Sequence, residues 1–199
     1  MFTIMAKLND TMADPEVQRL MQEVEALRLE LKAMGQRLAD AERLADRDVL
    51  TPLLNRRAFV REVQRAIALT RRHKTPASVI YFDMDGFKQI NDRYGHAAGD
   101  AALIGVAEQL MAAVREADVV GRIGGDEFAV LLQHADAAAA TAKAAVLAQG
   151  VAETPLSFEG QTMEMRLTWG VRQVGVVDSA EQALAEADVA MYLRKPSRD

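Results

Sequence analysis

Two stretches of this chain carry the residues best suited to chemistry. The first, Gly121-Arg122-Ile123-Gly124-Gly125-Asp126-Glu127-Phe128, reads as a strand, a two-glycine turn and a second strand, with two adjacent carboxylates just past the turn. Gly-Gly suits a type I′ turn, whose two central residues both need positive φ. The missing side chains also let a bulky ligand approach the backbone. Acidic residues beside so bare a turn suggest a metal or phosphate site, although a single turn of this kind is most often only a turn. The second stretch is Ser78-Val79-Ile80-Tyr81-Phe82, an apolar, β-rich run that ends in Asp83 and Asp85. It reads as a buried strand delivering carboxylates at its C-terminal end. Alternate strand residues share a face, so Asp83 and Asp85 are expected on the same side. Two such acids repel and are costly to desolvate unless a cation or hydrogen bonds offset them. Mg²⁺ with a triphosphate meets that need, because it takes a few carboxylate oxygens plus phosphate oxygens rather than a full protein cage. The backbone N–H groups of Gly86 and Phe87, at the strand-to-helix turn that follows, are suited to phosphate oxygens.

Further segments fall in order around these two: Asp48-Val49-Leu50-Thr51 with Asn55-Arg56-Arg57, the block running from Asp83 to Asp100, and Ala187-Asp188 with Ala190-Met191-Tyr192 and Lys195. Together they resemble the GGDEF-domain family, the diguanylate cyclases that condense two GTP into cyclic di-GMP and two pyrophosphates across a homodimer interface. The resemblance runs from Asp48 to about Lys195. It implies an α+β, palm-like nucleotidyl-cyclase fold with a central antiparallel-rich sheet flanked by helices. It implies Asp83 and Asp126 as carboxylates for Mg²⁺, with Mn²⁺ as an alternative, and the Met84 carbonyl as a further ligand. Asp126 would assist deprotonation of the ribose 3′-hydroxyl, and Glu127 would join the metal site or orient it. Lys88 matches a lysine near the triphosphate, where positive charge stabilises the transition state, and Lys195 matches one that contacts phosphate from the last helix. Gly124 and Gly125 belong to the same substrate site. Asn91 and Asp100 match the residues that read guanine, since a carboxylate accepts from N1–H and N2–H₂ while an amide satisfies O6 or N3. His96 lies between them, as a pocket-lining or a purely structural histidine. Arg115 and Asp118, three apart and shortly before the glycine pair, match the family's product-inhibition site, where guanidinium forks onto phosphate or a guanine edge.

The chain departs from the family pattern in four places. Pro52 replaces a glycine, Trp169 a smaller aliphatic residue and Arg194 an alanine, while Lys195 is followed by Pro-Ser-Arg-Asp rather than by a segment containing Gly-Arg-Asn. Arg198 supplies a cation there, but not at the matching position. None of these removes an expected metal ligand.

The elements that must position these residues follow from composition and period. Half of the 199 residues are apolar, enough for a core. The chain has no cysteine, which excludes disulfides and thiolate metal sites. A net charge of -5 argues against nucleic acid as a general partner. Neither a membrane span nor a signal peptide is legible, and a cytoplasmic location is expected. Residues 1–13 read as a flexible N-terminus, and 14–47 as a coiled-coil dimerisation helix opened by Asp14 as N-cap and Pro15 at the first helical position. Leu20, Val24, Leu27, Leu31, Met34, Leu38, Ala41 and Ala45 recur at alternating steps of four and three, the seam of a coiled coil. A parallel homodimer is expected, with packing against the chain's own domain as the alternative. On the family resemblance, residues 48–199 are expected to form the cyclase domain. Its expected elements are helices over 56–72, 99–115, 136–149 and 179–193, strands over 78–82, 118–123, 127–132, 162–171 and 172–176, and Phe59, Val63, Ala66 and Ile67 facing inward. GTP, cyclic di-GMP as product and inhibitor, and a regulatory protein acting on the coiled coil are the expected partners. A catalytically silent module that senses GTP or cyclic di-GMP is the alternative. If the seam supplies the second half-site, charged residues at Leu27 and Leu31 will lower specific activity, most strongly at low protein concentration. Unchanged activity of a monomeric double variant would refute the dimer requirement.

Overall fold

The computed structural model describes residues 15–195, without the side chains of residues 38–44. The expected flexible segment 1–13, the Asp14 cap and the residues after Lys195 lie outside the described residues. The chain divides between Ala45 and Asp46 into two units. The first is α1 (Pro15–Ala45), with proline at its first position and Glu16 in its first turn. Leu20, Val24, Leu27, Leu31 and Met34 are all exposed along it.

The second unit contains β1 (Leu54–Asn55), α2 (Arg56–His73), β2 (Ala77–Met84), α3 (Phe87–Tyr94), α4 (His96–Ala113), β3 (Val119–Arg122), β4 (Glu127–Gln133), α5 (Ala137–Glu153), β5 (Leu156–Phe158), β6 (Gln161–Met163), β7 (Leu167–Gln173) and α6 (Ala180–Tyr192). The main sheet has the order β1-β3-β4-β2-β7, with β1–β3 parallel and every other pair antiparallel. This is the α+β, antiparallel-rich arrangement expected. Central β2 is buried on both faces, which explains its unbroken apolar run. On one face Ile80, Phe82, Phe128 and Val130 pack against α3, α4 and α5 through Ile90, Leu103, Val106, Leu110, Ala144 and Leu147. On the other, Val79, Tyr81, Ala129 and Leu131 meet α2 and α6 through the expected Phe59, Val63, Ala66 and Ile67, together with Ala183, Leu184 and Met191.

Local side-chain chemistry sets the helix ends. Asn55, Asp136 and Ser179 each accept a hydrogen bond from the third residue into α2, α5 and α6. Three readings need correction. The segment expected as one helix from Gly99 is preceded by a separate short helix, α3, and α4 starts already at His96; Gly95, at φ 85°, forms the corner between them. In place of the two strands expected over 162–176 stand the second strand of a small β5–β6 hairpin, which begins earlier at Leu156, and then the single strand β7. The cause is Glu159-Gly160, both at positive φ (48° and 78°), which closes a two-residue type I′ connection between Phe158 and Gln161. That turn type was expected at Gly124-Gly125, yet neither glycine there is among the positive-φ residues.

Helix α6 lies directly on the edge strand. A Cβ at Gly170 would overlap the backbone of Ala187 and Met191. Gly170→Ala is therefore expected to cost about 1–3 kcal/mol in urea unfolding, because backbone atoms cannot step aside. Gly150→Ala, exposed in α5 with open space around it, is expected to stabilise by about 0.5–1 kcal/mol in the same measurement.

Candidate functional site

Strands β2 and β4 end side by side, with Asp83 opposite Glu127 in the ladder. Pairing continues one step further through Met84 N–H to the Asp126 carbonyl at 3.0 Å. The ends of the two strands thus bring Asp83, Asp126 and Glu127 together. Lys195, just past α6, places its Nζ 2.8 Å from Asp83 Oδ1. Asp85 goes elsewhere. It lies beyond β2, accepts from Thr168 Oγ1 at 2.7 Å and lines a separate cavity of about 440 Å³ with Gln89, Arg93, Tyr94 and Glu164. Asp83 and Asp126, the pair that the family resemblance implies, meet here, while the Asp85 carboxylate is taken by Thr168, the residue opposite Asp83 in the β2–β7 ladder.

The electrostatics match three acids crowded at one end of a sheet. Burial, and then the neighbouring Asp83 charge, pushes the Asp126 carboxyl above the ordinary value, while Lys195 and Arg122 pull the other way. Glu127 is also raised, first by burial and then by Asp188, Asp83 and Asp126, against the opposing hydrogen bond from Tyr81. Tyr81 itself is 4% exposed, and burial with the Glu127 and Asp188 charges raises its phenol. Among the described residues no group of three acidic, histidine or cysteine side chains converges to hold a metal by itself. A Mg²⁺ site built on two carboxylates, a carbonyl and phosphate oxygens needs no such group. Asp83 and Asp126, mutually repelling and offset by one ammonium, fit that smaller donor set.

Of the glycine pair, Gly124 works by leaving space, while a Cβ at Gly125 would meet open space. A Cβ at Gly124 would overlap the Glu127 carboxylate, which folds back over the turn. The turn is held by Arg122, whose Nε and Nη2 donate to the Gly125 carbonyl at 3.1 and 2.6 Å. Its Nη1 reaches Asp48 Oδ1 at 3.0 Å, in a pair 13% and 16% exposed. Burial alone would raise the Asp48 carboxyl, but hydrogen bonds from the Thr51 N–H and hydroxyl, with Arg122, hold it below its ordinary value.

Just beyond the end of β2, Gly86 takes φ 72° and starts α3 with no side-chain cap, so the first N–H groups of the helix, beginning at Phe87, receive no capping side chain. Lys88 is exposed one residue on. A Cβ at Gly99 would overlap the Asn91 amide, so α3 and α4 approach closely and Asn91 lies beside the residue preceding Asp100. Asp100 and His96 are exposed on α4. Arg115 and Asp118 line another cavity of about 440 Å³ with His134, Lys143 and Val146. The Asp118 carboxylate accepts from the Arg115 and Gln133 backbone N–H groups at 3.1 and 3.2 Å, so it also closes the turn into β3. Sequence reasoning gave no role to Arg122, Tyr81 or Asp188. Only the alternation Tyr81, Asp83 pointed to Tyr81, while Arg122 and Asp188 lay inside quoted segments without a role of their own.

The family described as "Diguanylate cyclase, GGDEF domain" matches residues 45–199. Diguanylate cyclase TpbB of Pseudomonas aeruginosa is 37% identical over 187 residues, covering 90% of this chain and 43% of that protein. The chain thus spans less than half the length of this relative. The coiled coil and GGDEF domain of DgcB from Caulobacter crescentus, solved in complex with c-di-GMP, superposes with a TM-score of 0.74 at 25% identity, over 87% of this chain and 92% of that one. Diguanylate cyclase SiaD from Pseudomonas aeruginosa, solved with its activator SiaC, gives 0.72 at 25% identity, over 96% and 75%. No helix among the described residues is long and apolar enough to cross a membrane.

A raised Asp126 means that the folded protein holds this proton more readily than the unfolded chain. Its charge therefore costs stability above the folded-state range, and the cost fades as pH falls toward the ordinary aspartate value of about 3.9. Without added divalent cation, Asp126→Asn is expected to raise the melting temperature at pH 7 and to lose that advantage near pH 3.5. Melting curves across this range test it; an equal shift at both pH values would contradict it.

Proposed function

The chain belongs to the GGDEF family, and on that premise we propose that it is a diguanylate cyclase, condensing two GTP into cyclic di-GMP and two pyrophosphates. The observation that carries this reading is the meeting of Asp83, Asp126 and Glu127 where β2 and β4 end, with Lys195 on their edge. Asp83, Asp126 and the Met84 carbonyl would hold Mg²⁺ or Mn²⁺, with Glu127 adding to that site or orienting it. When bound, the cation would neutralise the phosphate oxygens and polarise the α-phosphorus.

The chain's own groups do the rest. Asn91 and Asp100 read the guanine edge, with His96 at the pocket rim. The N–H groups of Gly86 and Phe87, with the Lys88 and Lys195 ammonium groups, hold the triphosphate. The bare Gly124-Gly125 backbone leaves room for the nucleotide. Asp126 takes the proton of the ribose 3′-hydroxyl; the freed oxygen bonds to the α-phosphorus of the second GTP, and pyrophosphate leaves. The second transfer repeats these steps with the roles exchanged. One domain presents one such half-site, so two copies must face each other. The exposed seam of α1 is suited to hold a parallel dimer and to raise the local concentration of the partner half-site. The same seam offers a regulatory protein a place to act. Product would bind at Arg115 and Asp118 and limit its own synthesis, in the cytoplasm where GTP is supplied.

Purified protein stripped of nucleotide is expected to convert GTP with Mg²⁺ into cyclic di-GMP, at a rate rising faster than linearly with protein concentration. Asp126→Ala should abolish the product, and Arg115→Ala should weaken product inhibition while sparing turnover. Absence of turnover from an intact dimer would favour the silent sensing module instead.

A further inference from the structure

Two residues at which this chain departs from the family pattern meet in the fold. The Arg194 guanidinium carbon lies 3.7 Å from the centroid of the Trp169 ring. Trp169 stands on β7, the edge strand, opposite Phe82, and packs against the core formed with α3, α4 and α5. Arg194 follows α6, which packs on the other face of the sheet through Ala187 and Met191. The stack therefore ties the segment leaving α6 to the opposite face. Among the described residues the backbone there is held by turn hydrogen bonds, Arg194 N–H to the Met191 carbonyl at 2.9 Å and Lys195 N–H to the Tyr192 carbonyl at 3.2 Å.

The next residue is Lys195, whose ammonium reaches Asp83. Asp83 pairs with Thr168, the neighbour of Trp169, so the ring and the carboxylate lie one ladder step apart. Adjacent Cα atoms are about 3.8 Å apart, so fixing Arg194 confines where Lys195 can start. A planar guanidinium suits this seat, since it stacks flat on an aromatic face.

We propose that Arg194 and Trp169 are positioning residues for Lys195. Their stack holds the turn after α6 against the end of β7, so that the ammonium reaches the carboxylate cluster and, with GTP bound, the triphosphate. This rests on the cyclase reading of that cluster. Neither residue is a catalytic residue, because each acts through Lys195.

Trp169 is the chain's one tryptophan, so its emission reports the stack without any need for turnover. Arg194→Ala is expected to red-shift that emission and to increase quenching by acrylamide, and Lys195→Ala to leave both unchanged. With GTP and Mg²⁺ in equilibrium dialysis, Arg194→Ala and Trp169→Leu should each weaken binding about 3- to 30-fold, the range open to a cation–π contact. Lys195→Ala should weaken it at least as much, and Arg194→Lys, which keeps a cation over the ring but loses the flat stack, should restore it only in part. In turnover the loss should fall on KM, with kcat within about 2-fold. Arg194→Ala binding as tightly as wild type would overturn the inference alone. So would weakened binding with unchanged Trp169 emission, since Arg194 would then contact the nucleotide directly. Failure of the wild type to bind GTP would overturn the cyclase reading, and the inference with it.

Discussion

The Arg122 guanidinium donates from Nε and Nη2 to the Gly125 carbonyl and from Nη1 to the Asp48 carboxylate, joining the tight turn between β3 and β4 to the segment that precedes α2. Both side chains of the ion pair are largely withdrawn from water, so it is less screened than a surface pair worth about 0–1 kcal/mol. Asp48 in turn receives the Leu50 and Thr51 backbone N–H groups and the Thr51 hydroxyl, which organise the whole stretch after α1. One cation thus fixes the connection that carries Asp126 and the entrance to the domain together. The Gly-Gly turn needs this support, because two residues without side chains are costly to order.

Once the turn is held, the sheet forces like charges into proximity. The β2–β4 register sets Asp83 opposite Glu127, and the adjoining Met84–Asp126 backbone bond brings in the third acid. Burial and mutual repulsion act against the charged forms, and the protein offsets them with Lys195, the Tyr81 phenol and the far end of Arg122. Such a cluster opposes folding in isolation and gains its value when a cation or a triphosphate arrives. It is the kind of strained electrostatic arrangement that accompanies sites of chemistry.

Much of this was legible in the sequence. The apolar run of β2 and the 3.6-residue stripe Phe59, Val63, Ala66, Ile67 announce themselves by local chemistry, and the fold bears them out. Elements failed where a tertiary partner overrode local preference. Gly124 and Gly125 look like a type I′ pair, but the Glu127 carboxylate folding over the turn asks for empty space rather than positive φ. The type I′ geometry went to Glu159-Gly160, which no apolar alternation advertised strongly. Helix α3 was announced only by the strand-to-helix turn at Gly86-Phe87; its end at the Gly95 corner, and the start of α4 at His96, were not legible.

The sequence by itself determined the family, the strand and helix types, and the order of the acidic and glycine-bearing segments, because each depends on side chains within a few residues of one another. The resemblance paired Asp83 with Asp126; only the tertiary structure decided what surrounds that pair, setting Glu127 opposite Asp83 in the β2–β4 ladder and giving the Asp85 carboxylate to Thr168. The seat of α6 on Gly170, the Arg122 clamp on Asp48 and the Arg194 stack on Trp169 likewise join residues far apart in the chain. Their contacts depend on register and on the packing of helices across both faces of the sheet, and neither quantity is written in any local stretch of residues.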